Sequence, residues 1–339
     1  MLTSLSPDSR ALFVCEKPSQ ARNFHAAWAN LRPDIPFAAI LACTHHPAGF
    51  RPRLPRDLPL HDIVIIEPAF ATDVPLPVVV AEGSWAAGIA APELLRQADV
   101  IVCATDPDER GAFAFENLLR QLAPERASTP WPRIHALTES LADLDRALRA
   151  PASTTDEVFR QVVSRTEARR FFDANWAAQS LPVFGALLRE IGAPREVFVS
   201  KYALQLLWFL QDVDRSFDGS VLLHMMKDWV GTGRYPNRSP SGLGDTLSRG
   251  AILEQLEQGR LLERAGDLDR PGRTGLRISP LGRAFLARVH PKTRDADLPF
   301  RLQEWSEAWP ASRPAMERYL KTVFGRQRRF QHAREWQPR

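Results

Sequence analysis

Two short acidic stretches carry the residues best suited to chemistry. Glu16-Lys17 follows the apolar run ALFVC at 11–15, and Asp106-Pro107-Asp108 follows VIVCAT at 100–105. Two carboxylates two residues apart reach the same hard cation, and Mg2+ takes one or two carboxylates together with water and phosphate oxygens. Glu16 offers a third oxygen ligand from the equivalent end of the first run, although 90 residues separate it from Asp106. If the two runs are neighbouring strands, all three acids meet at the carboxyl edge of one sheet, where open α/β folds bind ligands. Taken alone, Asp-Pro-Asp reads equally as the turn and N-cap of a following helix.

The elements that must position these residues alternate in type. ALFVC predicts a strand, and QARNFHAAWANL after it a helix with Ser19 as N-cap. FAAILACT (37–44) and HDIVIIEP (61–68) are further strand candidates, with a Pro-dotted loop from 49 to 60 between them. Residues 92–122 read as helix, buried strand, acidic turn and helix, and IHALT (134–138) as a last strand. Strands alternating with helices predict an α/β domain with a mostly parallel sheet over residues 1–150. Residues 151–215 are patterned as two helices broken at Gly192-Ala193-Pro194. Within 216–300, two helices flank a hairpin-like pair, LLERAG and LRISP, in the manner of a winged-helix unit. Residues 301–339 form a basic helical tail with Arg326, Arg328, Arg329, Arg334 and Arg339. There Phe330, His332 and Trp336 interleave with arginine, which fits stacking on single-stranded bases as well as it fits a solvated terminus.

Composition bounds the function. The chain has 339 residues, 44% apolar and 25% charged, which excludes wholesale disorder and gives a core that needs no disulfide or structural metal. No uncharged apolar run is long enough to predict a membrane span. The first residues do not read as a secretory signal, and three dispersed cysteines, Cys15, Cys43 and Cys103, suit a reducing cytoplasm. Of 44 basic residues only five are lysine. Arginine grips phosphates with two parallel hydrogen bonds, so nucleic acid is one reading and an arginine-rich codon bias the other.

LFVCEKPSQAR followed by VIVCATDPDERG closely resembles the TOPRIM domain of type IA DNA topoisomerases, especially the topoisomerase III branch, with its E-K-P-S-x-A and T-D-x-D-R-E-G-E strings. HALTESLADLDRAL, TEARRFFDANWAAQSLPVF, FVSKYALQLL, SGLGDTLSRGAILEQLEQGRLLER and LRISPLGRAFL are similar to later family segments, in family order. The resemblance implies an α/β TOPRIM domain followed by a mostly helical region with a winged-helix-like unit. It implies Mg2+ bound by Glu16, Asp106 and Asp108, with Lys17 as the cation beside the scissile phosphate. It also implies DNA contacts from His46, Arg110, Lys201 and Arg249, with single-stranded DNA as partner.

The chain departs from the family in two places. Arg-Glu-Gly-Glu after the aspartates becomes Glu109-Arg110-Gly111-Ala112, which removes one acid and leaves one Mg2+ rather than two as the expectation. The gate domain that carries the nucleophilic tyrosine is missing between about Asp212 and Ser216. Of three tyrosines, Tyr235 in GTGRYPNRSPSG is the candidate nucleophile, with Arg238 beside it. Its Gly- and Pro-rich surroundings read as an ordinary loop, and the expectation is that it does not act. Three functions therefore stand open: a topoisomerase-like protein with reduced or absent relaxation, aided by a partner protein that supplies the missing domain; a TOPRIM phosphodiesterase or nuclease; and a catalytically silent adaptor for single-stranded DNA.

Overall fold

A computed structural model describes residues 2–42, 52–53, 63–70, 76–136, 138–213, 215–232, 235, 242–266 and 274–335. The chain divides into two compact units, residues 1–53 with 69–167, and residues 54–68 with 168–339.

The first unit is built on a six-stranded sheet. In chain order its elements are β1 (Ala11–Cys15), α1 (Pro18–Leu31), β2 (Ala38–Leu41), β3 (Pro52–Arg53), β4 (Ala69–Phe70), β5 (Val78–Val80), α2 (Ala91–Gln97), β6 (Val100–Cys103), α3 (Glu109–Leu122), β7 (Pro132–Arg133), α4 (Leu141–Arg149) and β8 (Ala152–Ser153). The sheet order is β5-β2-β1-β6-β7-β8, while β3 and β4 pair separately. The four central strands run parallel, with Val14 in register with Ile40 on one side and Cys103 on the other. The edge strands β5 and β8 are antiparallel.

Every residue of β1 is buried, as a continuous apolar run in a sheet covered on both faces requires. Leu12 and Val14 face a core that includes Leu94 and Leu95 of α2 and Phe115 and Leu119 of α3. Ala11, Phe13 and Cys15 face the opposite layer, with Phe24 and Trp28 of α1 and Leu144 and Leu148 of α4. Phe13 lies 5.0–5.9 Å from the rings of Phe24, Trp28 and Phe37, and burial of that one side chain contributes about 2 kcal/mol.

The sequence expectations need three local corrections here. Ser19 is not the N-cap of α1: Pro18 takes the first helical position, so Lys17 is the cap residue, without a side-chain cap bond. IHALT is not a strand in its described residues; pairing with β6 is made by Arg133, just before it. The described part of HDIVIIEP, residues 63–68, is not in a sheet either. It belongs to the second unit, where the Ile66 N–H donates to Asn175 Oδ1 and its carbonyl accepts from Asn175 Nδ2.

The remaining elements are α5 (Glu157–Glu190), which starts in the first unit and ends in the second, α6 (Lys201–Gln211), α7 (Gly219–Lys227), α8 (Thr246–Gln258), β9 (Leu262–Gly266), β10 (Thr274–Ile278), α9 (Pro280–Arg288), α10 (Leu298–Glu307) and α11 (Arg313–Glu335). Short polar side chains cap several of these helices: Ser200 for α6, Asp218 for α7, Asp245 with Ser248 for α8, and Ser279 for α9. The antiparallel β9–β10 hairpin between α8 and α9 matches the expected helix–hairpin–helix order. No helix among the described residues is long and apolar enough to cross a membrane.

Candidate functional site

The strand order reverses between β1 and β6. From β1 the chain passes through α1 to β2 on one side, and from β6 through α3 to β7 on the other. Loops leaving the carboxyl ends of two such strands diverge and open a crevice between them. Glu16 directly follows β1, and Asp106 lies three residues beyond β6.

Backbone and side chains join these two loops. Glu16 is buried, and its Oε1 accepts a hydrogen bond from the Asp106 N–H at 2.9 Å. The Glu16 N–H donates to Gln20 Oε1 at 2.7 Å, and Gln20 Nε2 donates to Asp106 Oδ1 at 2.9 Å. Buried Gln20, one turn into α1, thus ties one strand end to the other. The other Asp106 oxygen is 3.2 Å from Lys17 Nζ. Asp108 caps α3, its Oδ1 accepting from the Arg110 and Gly111 N–H groups at 2.9 and 2.8 Å. Asp-Pro-Asp is thus the turn and N-cap of α3, and a carboxylate that caps a helix through one oxygen retains the other.

Gly111 is what lets α3 start so close to Glu16. A Cβ there would lie 2.1 Å from the Asp106 carbonyl oxygen and 2.6 Å from Glu16 Oε1. Thr105 fixes the same turn by donating to the Gly111 carbonyl at 2.9 Å.

The charges are unbalanced. Burial first, then the adjacent Asp106 and more weakly Asp108, push the Glu16 carboxyl up to about 7, against the hydrogen bond from the Asp106 backbone and the charge of Lys17. Lys17 is held above the ordinary lysine range by its hydrogen bond and charge contact with Asp106, with Glu139 and Glu16 adding to it. Sequence reasoning missed Gln20 and Glu139. A glutamine four residues after Glu16 at a helix start was the available signal for the first; nothing local announces the second.

Among the described residues no three His, Cys, Asp or Glu side chains are gathered closely enough to hold a metal ion as they stand. The donor chemistry nevertheless fits a hard cation: the facing groups are carboxylates, and burial first, then the neighbouring aspartates, raise the Glu16 carboxyl to about 7. Glu16, Asp106 and Asp108 are the side chains that would hold it.

The other expected site residues are distributed elsewhere. Arg110 is exposed in the first turn of α3. His46 and Arg238 lie outside the described residues. Lys201 belongs to the second unit, where its buried ammonium pairs with Asp173 and lies over the rings of Tyr202 and Phe172. Arg249 is half-buried on α8 of that unit. Tyr235 is there too, stacked 5.0 Å from Phe300, with its hydroxyl donating to Glu304.

Fold and site define an α/β unit with a mostly parallel six-stranded sheet and an acidic cluster at its strand-order switch, joined to a largely helical unit. No family model matches the chain, and no curated protein matches it. Among solved structures, full-length topoisomerase I from Thermotoga maritima is similar over 59% of this chain and 29% of its own, at 14% identity and a TM-score of 0.36. The chain spans less than a third of that structure, and the likeness is too remote to carry a conclusion about activity.

Proposed function

We propose that the protein binds DNA and, with Mg2+, acts on phosphodiesters of single strands as a type IA topoisomerase-like protein with reduced or absent relaxation activity. On this reading the first unit is a TOPRIM-like domain, and residues 216–300 hold a winged-helix-like unit. The observation that carries the proposal is the pairing of Glu16 with Asp106 across the strand-order switch, with Lys17 on the outer oxygen of Asp106. The motif strings around 16 and 106 agree with it.

A Mg2+ held by Glu16, Asp106 and Asp108 would neutralise charge that develops on a phosphodiester. Lys17, exposed at the mouth of the cluster, contributes a second positive charge without needing to be recruited. Glu16, whose carboxyl is raised to about 7, would give up its proton on holding such a cation.

A second reading, a phosphodiesterase with water as nucleophile, is favoured by one observation. The Tyr235 hydroxyl is engaged by Glu304 within the second unit. A topoisomerase reaction then needs a tyrosine brought by a partner protein. Incubation with single-stranded DNA and Mg2+, followed by denaturing electrophoresis, separates the readings. A covalent protein–DNA adduct supports the first and cut strands without an adduct support the second. Binding without either outcome, unchanged by Asp106→Asn, leaves an adaptor and overturns both.

A further inference from the structure

The second unit joins two arginines of the basic tail, Arg326 and Arg329, to a lysine from a separate turn, Lys292. His290 begins a single 3-10 turn, Pro291–Thr293, and buried Gln327 of α11 holds this turn against the helix. The His290 N–H donates to Gln327 Oε1 at 2.7 Å, and Gln327 Nε2 donates to the Arg288 carbonyl at 3.0 Å. Phe330, one turn further along α11, sets its ring 5.3 Å from the imidazole at an interplanar angle of 72°. Lys292 lies on this packed turn, and Arg326 and Arg329 lie at a spacing of three on the helix stretch that holds it, either side of Gln327. Burial, then the charges of Arg326, Lys292 and Arg329, push His290 below the ordinary histidine range.

They also lack acidic partners, unlike several cations nearby in sequence. Elsewhere in this unit Arg288 pairs with Glu190, Arg294 with Asp212, Arg301 with Asp295, and Arg313 with Glu67 and Glu317. Among the described residues Lys292, Arg326 and Arg329 form no ion pair. Gathering three uncompensated cations on a rigid platform costs repulsion that an external polyanion removes. The geometry points to a phosphate-backbone contact site for single-stranded nucleic acid formed by Lys292, Arg326 and Arg329, with the half-buried ring of Phe330 beside it. An anionic membrane surface fits less well. The apolar stripe of α11, Met316, Leu320, Val323 and Phe324, is already buried in this unit's core and has nothing left to insert into lipid.

The inference rests on the nucleic-acid reading proposed above, but it assigns affinity to residues of the second unit rather than to the acidic cluster of the first. The test is fluorescence-anisotropy titration of oligo(dT) by the full chain over a range of salt, without divalent cation. The triple variant Lys292→Ala/Arg326→Ala/Arg329→Ala is compared with wild type. At about 0.7 per phosphate contact on single strands, loss of three contacts lowers the log–log salt slope by about 2. That is about 100-fold weaker binding at 0.1 M salt when the 1 M intercept is unchanged. Should the triple variant melt early, each single alanine variant is expected to lower the slope by about 0.7. A wild-type slope retained in the variants overturns the site while leaving the reading of the acidic cluster intact. Absence of oligo(dT) binding by wild type overturns both. Binding of wild type, but not the triple variant, to phosphatidylserine–phosphatidylcholine vesicles in place of oligo(dT) assigns the patch to membrane and overturns the nucleic-acid site.

Discussion

Replacing Glu16 by glutamine isolates the charge of the buried carboxyl. The amide oxygen still accepts the Asp106 N–H, and the shape barely changes, so the variant removes mainly an ionisation. In the native protein the carboxyl keeps its proton up to about pH 7, against an ordinary 4.5. Between those values the folded state binds more protons than the unfolded state, so stability is lost as pH rises through the window. The full difference corresponds to about 3 kcal/mol, and water reaching the crevice reduces it to about 1–3 kcal/mol. Denaturant unfolding of wild type and Glu16→Gln, followed at pH 5 and pH 8 without divalent cations, reads this directly. The two are expected to be nearly equal at pH 5, where both side chains are neutral. At pH 8 the variant is expected to be more stable by about 1–3 kcal/mol. Parallel pH profiles for the two proteins would refute the strained-carboxylate account of the site.

Other substitutions probe the surroundings. Gly111→Ala puts a methyl 2.1 Å from the Asp106 carbonyl oxygen and is expected to cost about 2–4 kcal/mol in the first unit by thermal unfolding; a wild-type melting curve would contradict the close approach. Asn175→Ala removes a fully buried amide that serves both backbone groups of Ile66 and the Phe171 carbonyl, and is expected to cost about 2–4 kcal/mol in denaturant titration. Tyr235→Phe removes the hydrogen bond to Glu304, costing about 1–3 kcal/mol, and should leave the yield of any cut or covalently linked DNA unchanged on a denaturing gel.

Much of the site-bearing fold was legible because β1 and β6 are apolar runs with no polar interruption, with Glu16 directly after one and Asp106 three residues after the other. The same reasoning failed at 61–68, since an apolar run looks alike whether it pairs in a sheet or lies along a helix. Asn175, 109 residues from Ile66, decides the matter there, and no local pattern reveals such a partner. At Ser19 a local rule lost to a stronger one, proline at the first helical position. Within the site, carboxylate spacing marked Glu16, Asp106 and Asp108, but the links between them are long-range: Gln20 reaching Asp106, and the Glu16–Asp106 backbone bond across 90 residues.

The central claim, that the acids at the strand-order switch take a divalent cation, is tested most directly by calorimetric titration with Mg2+ near pH 7 in two buffers of different ionisation heat. Wild type is expected to bind Mg2+ and to release a fraction of a proton from Glu16, so that the measured heat differs between buffers. Asp106→Asn is expected to lose the binding, and Glu16→Gln to lose the proton release. Mg2+ binding that is absent in wild type, or that survives unchanged in Asp106→Asn, would contradict the account.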